Sequence, residues 1–290
     1  MRLNPFNPGS IKVRDHGSGG LPGGRGGALG CGGLLVVLVG SLIFGIDPGQ
    51  MLGTVEQMNQ GAPAGPQQQG QVSQDSASAC AAYEYGQESC NALYSLDQTW
   101  QPLFAQANVP FDTPTLNFYS GAVQSGCGAA QSAMGPFYCP ADQGIYLDTA
   151  FYQQMTQQMG ASGDFARYYV IAHEYGHHVQ ALTGVADQIR SAQQANPRQA
   201  NQLQVLMELQ ADCYAGVWAG KNRNLVEPGD FEEGMTAASA IGDDTLMRQS
   251  GQRVSPESFT HGTSEQRMQA LRLGMESGDD TQCDRIVNLR

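Results

Sequence analysis

The sequence predicts a helix-rich α+β domain with a small sheet upstream of its long helices, preceded by a single transmembrane helix. Three observations lead there: an uncharged apolar stretch near the start, two short aromatic and branched segments mid-chain, and two long runs of helical periodicity after them. The chain has 290 residues, 41% of them hydrophobic, enough for a packed core, which excludes wholesale disorder. Charges make up 14% with a net of -12 and no Lys/Arg cluster, which excludes nucleic acid as a partner.

Residues 1–25 are basic: Arg2, Lys12, Arg14 and Arg25 stand against Asp15 alone. Residues 26–46 carry no charge, and Leu34 to Ile46 is almost wholly apolar. At about 1.5 Å per residue a helix of this length crosses a hydrocarbon layer of about 30 Å. The alternative is a cleaved signal peptide, but no A-x-A-like triplet follows Ile46, so the stretch reads as an uncleaved anchor. Cys31 precedes its apolar core and reads as a plain membrane cysteine. Basic flanks stay in the cytoplasm, which makes 1–25 a cytoplasmic tail and sends everything after Asp47 to the periplasmic or extracellular side. Residues 47–79, rich in Gly, Pro, Gln and Ser, read as a flexible linker, and 80–290 as one domain.

Within the domain, Pro114 to Tyr119 and Gly144 to Asp148 read as strands. Ser162-Gly163-Asp164 caps a helical run from Phe165 to Leu182 that Gly184 closes. Pro197 opens a second run, Arg198 to Lys221, in which Leu203, Leu206, Leu209, Cys213 and Val217 recur at helical spacing. The Gly- and Asp-rich stretch Met275 to Asp280 reads as non-helical.

Six cysteines follow the anchor. An even count outside the cytoplasm reads as three disulfides; of fifteen pairings, short loops favour Cys80–Cys90 and Cys127–Cys139, leaving Cys213–Cys283. Metal binding by these cysteines is the competing idea, and no C-x-x-C spacing supports it.

The chemistry concentrates in His173-Glu174-Tyr175-Gly176-His177, an HExxH pattern. Positions i and i+4 of a helix share a face, so both imidazoles reach one metal with the intervening Glu beside them. From the frequencies of His and Glu, chance yields the pattern roughly 0.003 times in such a chain, too rarely to explain it. His178 points about 100° away from His177 and reads as structural or exposed. Zinc needs a third protein ligand. His16 lies in the tail, and the longer HExxHxxGxxH pattern fails because Gln180 and Thr183 stand at its Gly and His positions. Glu208 fits better: with Asp212 it forms another i, i+4 pair, so Glu208 binds metal while Asp212 accepts a hydrogen bond from a ligating His. The bland reading of Glu208 is a solvated helix charge.

The stretches FYCPADQGIYLD (137–148), HEYGHHVQ (173–180) and ELQADCYAGVWA (208–219) together resemble the neutral zinc metallopeptidase family of bacterial envelopes, over roughly residues 80–285. HExxH followed by ExxxD is similar to the gluzincin arrangement, although the gap between the motifs is longer here and Met207 stands where an Asn precedes the Glu. The resemblance implies a zincin-like fold, a Zn2+ cofactor, and an endopeptidase acting on protein or peptide substrates with Glu174 as general base. The stretch THGTSEQR (260–267) resembles a late His-plus-Arg element, which implies a transition-state role for His261 and a carboxylate partner for Arg267. Gly144 to Asp148 is then either an edge strand on which substrate lies or an internal strand; Tyr146 and Tyr175 read as packing. Two rival functions remain: a zinc-bearing binding or chaperone-like envelope module, against which Glu174 speaks, and a non-peptidase metal hydrolase.

Overall fold

The structure, a computed structural model, describes residues 1–17 and 76–287. Its elements run β1 (Lys12–Asp15), α1 (Ser76–Ala81), α2 (Gly86–Gln106), β2 (Thr115–Tyr119), β3 (Ala122–Ser125), β4 (Gly128–Gln131), β5 (Phe137–Cys139) and β6 (Gly144–Asp148). Then come only helices: α3 (Phe151–Met159), α4 (Asp164–Leu182), α5 (Val185–Ala195), α6 (Ala200–Lys221), α7 (Asp230–Ala240), α8 (Asp243–Gln249), α9 (Ser264–Ser277) and α10 (Asp280–Asp284). The helix-rich α+β class with a small upstream sheet is therefore what the chain adopts.

The main sheet has the order β1-β2-β6-β5, with β1, β2 and β6 parallel and β5 antiparallel; β3 and β4 form a separate hairpin. Every residue of β2 and β6 is buried, which explains why both read as continuous aromatic and branched runs rather than alternating ones. Strand β6 lies between β2 and β5, so Gly144 to Asp148 is internal and the edges belong to β1 and β5.

Helices α4 and α6 form the centre. Both are buried over most of their circumference, α4 against α2, α6 and α7, and α6 also against α9. Two close approaches set their spacing. A Cβ on Gly176 would stand 2.8 Å from the Cα and carbonyl oxygen of Ala211, so the glycine inside HExxH is where α4 meets the α6 backbone. On the other side of α6, a Cβ on Gly274 would stand 2.0 Å from Cys213 O, so α9 also packs backbone to backbone. Trp218 fills the remaining core, stacked on Phe165 and donating to Ser95 Oγ at 3.0 Å.

Disulfides join Cys80 to Cys90, Cys127 to Cys139 and Cys213 to Cys283. The last spans 70 residues and ties α6 to α10, restricting the unfolded chain by roughly 4 kcal/mol on the loop-entropy account.

Several sequence expectations need correction. Residues 1–17 are not a separate tail: β1 pairs with β2 in register Lys12 to Thr115, the Met1 amino group is buried against Asp164 and Asp230, and Tyr83 donates to Asp15. His16, set aside as lying in that tail, has Nε2 3.0 Å from Asn117 Oδ1 within the sheet. The linker ends earlier than expected, since α1 begins at Ser76. Met275 to Ser277 are helical, and the break falls at Gly278, which takes the left-handed conformation. The start of α4 has no side-chain cap from its own segment; Glu233 of α7 accepts from Phe165 N at 3.0 Å instead. No helix among the described residues is long and apolar enough to cross a membrane, and the anchor at 26–46 lies outside those residues.

Candidate metal centre

Because His173 and His177 are one turn apart on α4, and Glu208 projects from α6 across the Gly176 contact, the three side chains converge. Their ligand atoms all lie within 4.8 Å of one another. Glu208 Oε2 is 3.2 Å from His173 Nε2 and 3.4 Å from His177 Nε2. Ligands at 2.0–2.1 Å on the corners of a tetrahedron sit about 3.3 Å apart, which both carboxylate–imidazole separations match.

The outer hydrogen bonds leave the right atoms free. Asp212 is fully buried and accepts from His173 Nδ1 (2.7 Å), Tyr169 OH (2.6 Å), and Arg267 through both Nε and Nη2 (each 2.9 Å). A carboxylate there makes Nδ1 the protonated nitrogen of His173, so Nε2 presents its lone pair to the centre. His177 is held by a neutral group. Gln180 commits its amide NH2 to Met207 O (2.7 Å) and Gln210 Oε1 (3.0 Å), which turns Oε1 toward His177 Nδ1 at 2.9 Å. Gln204, one turn before Glu208, donates to Glu208 Oε1 at 2.8 Å and leaves Oε2 facing the imidazoles.

Electrostatics agree with this division. Burial opposes charge on His173, yet Asp212 and Glu208 beside it hold its pKa up, to about 10. Burial likewise opposes ionised Glu208, but the imidazoles of His177 and His173 hold its carboxyl well below the usual range. Without metal, the centre therefore retains protons that a cation displaces on binding.

Glu174 is nearly buried and lines a cavity of about 810 Å³ that opens onto the three ligands. His261 lines the same cavity. Asp243 fixes it: Oδ2 accepts from the backbone N–H of Thr260, His261 and Gly262 (2.7, 2.7 and 3.0 Å), and Oδ1 is 3.3 Å from His261 Nδ1. Arg267 reaches the cavity but is bound to Asp212, with no other ion pair among the described residues. His178 takes no part. Burial drives its pKa down to about 4, and it is neutral, receiving Tyr138 OH at Nδ1 (3.0 Å) and donating from Nε2 to Asp112 O (2.7 Å).

The structure thus brings together His173, Glu174, His177, Glu208 and Asp212, and puts His261 on the same cavity. Sequence reasoning missed Gln180, Gln204, Tyr169 and Asp243. The first three had a usable signal: they lie three or four residues from a ligand along its own helix. Asp243, 18 residues before the loop residue His261 and at the start of α8, had none.

The profile of the family described as "Putative neutral zinc metallopeptidase" matches residues 7–286. The uncharacterized protein YpfJ of Escherichia coli (strain K12) is 42% identical over 267 residues, 91% of this chain and 88% of its own. Uncharacterized proteins of Mycobacterium bovis and Mycobacterium tuberculosis are 41% identical over 203 residues, 66% of this chain and 67% of theirs. No solved structure matches the chain.

Proposed function

This chain belongs to the putative neutral zinc metallopeptidase family, and from that premise we propose that it is a zinc-dependent endopeptidase working outside the cytoplasm. One observation carries the reading: Glu174 stands beside a three-ligand set whose open side faces a cavity large enough for a peptide segment. His173, His177 and Glu208 would hold the ion. Zn2+ in such a set supplies Lewis acidity and brings the pKa of a bound water near 7.

Glu174 takes the proton from the attacking water as its oxygen adds to the peptide carbonyl carbon, then delivers it to the departing amine nitrogen as the C–N bond breaks. His261 accepts from Thr260 Oγ1 at Nδ1 (3.0 Å) in the tautomer that keeps its proton on Nε2, and that N–H would donate to the oxyanion. Asp212, clamped by Arg267 and Tyr169, and Gln180 keep the two imidazoles in register. The outer backbone edge of β5, unpaired among the described residues and with Phe137 and Tyr138 lining the cavity, offers an extended substrate its hydrogen bonds, a role the internal β6 has no edge to fill. Three disulfides support a location outside the cytoplasm, and the apolar stretch at 26–46 supports attachment to a membrane.

The test is cleavage of a denatured protein by the purified chain with and without chelator. Glu174→Gln should abolish cleavage, by 10³-fold or more, on the order expected for loss of the base, while bound zinc stays stoichiometric. A variant that still cleaves at the wild-type rate removes Glu174 from the mechanism. A chain that binds denatured protein yet never cuts it is the chaperone-like module instead.

A further inference from the structure

The cavity wall differs on the two sides of the ligands. On α4, Val170 lies one turn before His173 on the same face, and around it the wall is apolar. Phe151, Met155 and Met159 follow one another at four-residue spacing on α3, forming a stripe that looks into the cavity, and Ala237 and Ile241 close it from the α7 end. One turn past His177 the character changes. There the amides of Gln180 and Gln204 and the half-exposed Arg190 of α5, which pairs with the exposed Asp187, share the lining with Ala181, Ala186 and Met207.

Among the described residues the apolar recess holds no unpaired charged side chain of its own: Arg267 behind it is neutralised by Asp212. A charged substrate side chain entering it would lose its hydration without gaining a partner. A bulky apolar one would be stabilised by the area it buries, a preference on the order of 10- to 100-fold. Methionine at two positions of the stripe makes the recess adaptable among apolar shapes rather than specific for one. The neighbouring β5 edge binds backbone, which is indifferent to sequence.

We propose that the cavity selects extended polypeptide segments carrying a bulky apolar side chain in the recess formed by Val170, Phe151, Met155 and Met159, so that its substrates are non-native polypeptides. Folded proteins keep such side chains inside and their edges paired, and so present neither feature. The inference rests on the peptidase reading and adds a substrate class to it.

Two quenched peptides that differ at a single position beside the scissile bond, Phe in one and Asp in the other, test it on the zinc-loaded full chain. Their kcat/KM should differ by 10-fold or more in favour of Phe, and Kd values measured with the non-cleaving Glu174→Gln variant should follow. Met159→Lys, at a half-buried site near the end of α3, should cut the ratio at least 10-fold by raising the Asp peptide; Met159→Gln is the control for side-chain length. Glu174-dependent cleavage that treats the two peptides alike, or a ratio unmoved by Met159→Lys, overturns the recess and leaves the peptidase reading intact. Tighter binding of the Phe peptide with no cleavage of either supports the recess and overturns the peptidase reading.

Discussion

Asp212 holds His173 in place and at the same time neutralises a buried arginine, and two variants separate these tasks. Asp212→Asn removes the charge from a fully buried position where Arg267 makes two hydrogen bonds of 2.9 Å and has no other ionic partner among the described residues. Breaking a buried pair from one side costs about 3–5 kcal/mol, because an uncompensated guanidinium remains. The same change replaces the carboxylate 2.7 Å from His173 Nδ1 with a neutral amide, a weaker acceptor, and weakening such an outer partner lowers metal affinity about 10- to 100-fold. In the double variant Asp212→Leu with Arg267→Met both charges go, and stability should return to within about 1–2 kcal/mol of wild type. Zinc affinity should not return, because nothing then sets the imidazole tautomer. Urea unfolding of the metal-free chain, with disulfides intact, reads the first quantity, and competition against a chromophoric zinc chelator reads the second. If Asp212→Asn is destabilised but binds zinc as tightly as wild type, or if the double variant regains affinity, Asp212 is a counter-ion alone.

Gln180→Leu removes the acceptor at His177 and should weaken zinc about 10-fold while leaving Glu208 in place; an unchanged zinc titration would show that α4 alone orients the ring. Gly176→Ala forces a methyl group against the Ala211 backbone and should destabilise the chain by about 1–3 kcal/mol, with loss of zinc affinity as α6 is pushed away; a wild-type melting temperature would contradict the close approach. Asp97, buried on α2, accepts from Tyr175 OH through one oxygen while the other has no partner among the described residues, and burial raises its pKa to about 7. A carboxyl whose pKa is raised on folding contributes stability that is fully present below about pH 4 and lost as pH rises through 7. From pH 5 to 8 wild type should therefore lose about 2–3 kcal/mol more than Asp97→Asn; parallel urea midpoints for the two chains would place the carboxylate in a wetter setting.

Much of the centre could be read from the sequence because its parts are local. HExxH and Glu208 with Asp212 each need only the four-residue period of one helix, and α4 and α6 form where periodicity put them. Strands β2 and β6 were visible for a similar reason, as short runs of residues that suit burial on both faces. What stayed hidden depends on pairing across the chain. Sheet order decides that β6 is internal and β5 an edge, and neither segment's own residues encode it. Asp243 reaches the loop residue His261 from the start of α8, and Glu233 caps α4 from α7. The N-terminal segment misled in a different way: its basic residues read as a separate tail, whereas Val13 is in fact a core residue that pairs beside Leu116, 103 positions away.

Strand β1 also constrains how the chain meets lipid. The backbone leaves the folded body after Gly17 and rejoins it at Ser76, with both points belonging to one sheet-and-helix unit. Because Lys12–Asp15 is paired with Thr115–Phe118, the amino-terminal strand and the rest of the sheet cannot stand on opposite faces of a membrane while that pairing holds. Two of the amino-terminal cations already have anions of their own domain: Arg2 meets Glu227 at 2.7 Å and Lys12 meets Asp112 at 2.6 Å. The amino-terminal strand and the metal centre therefore share a compartment, and whatever carries one across a membrane carries the other.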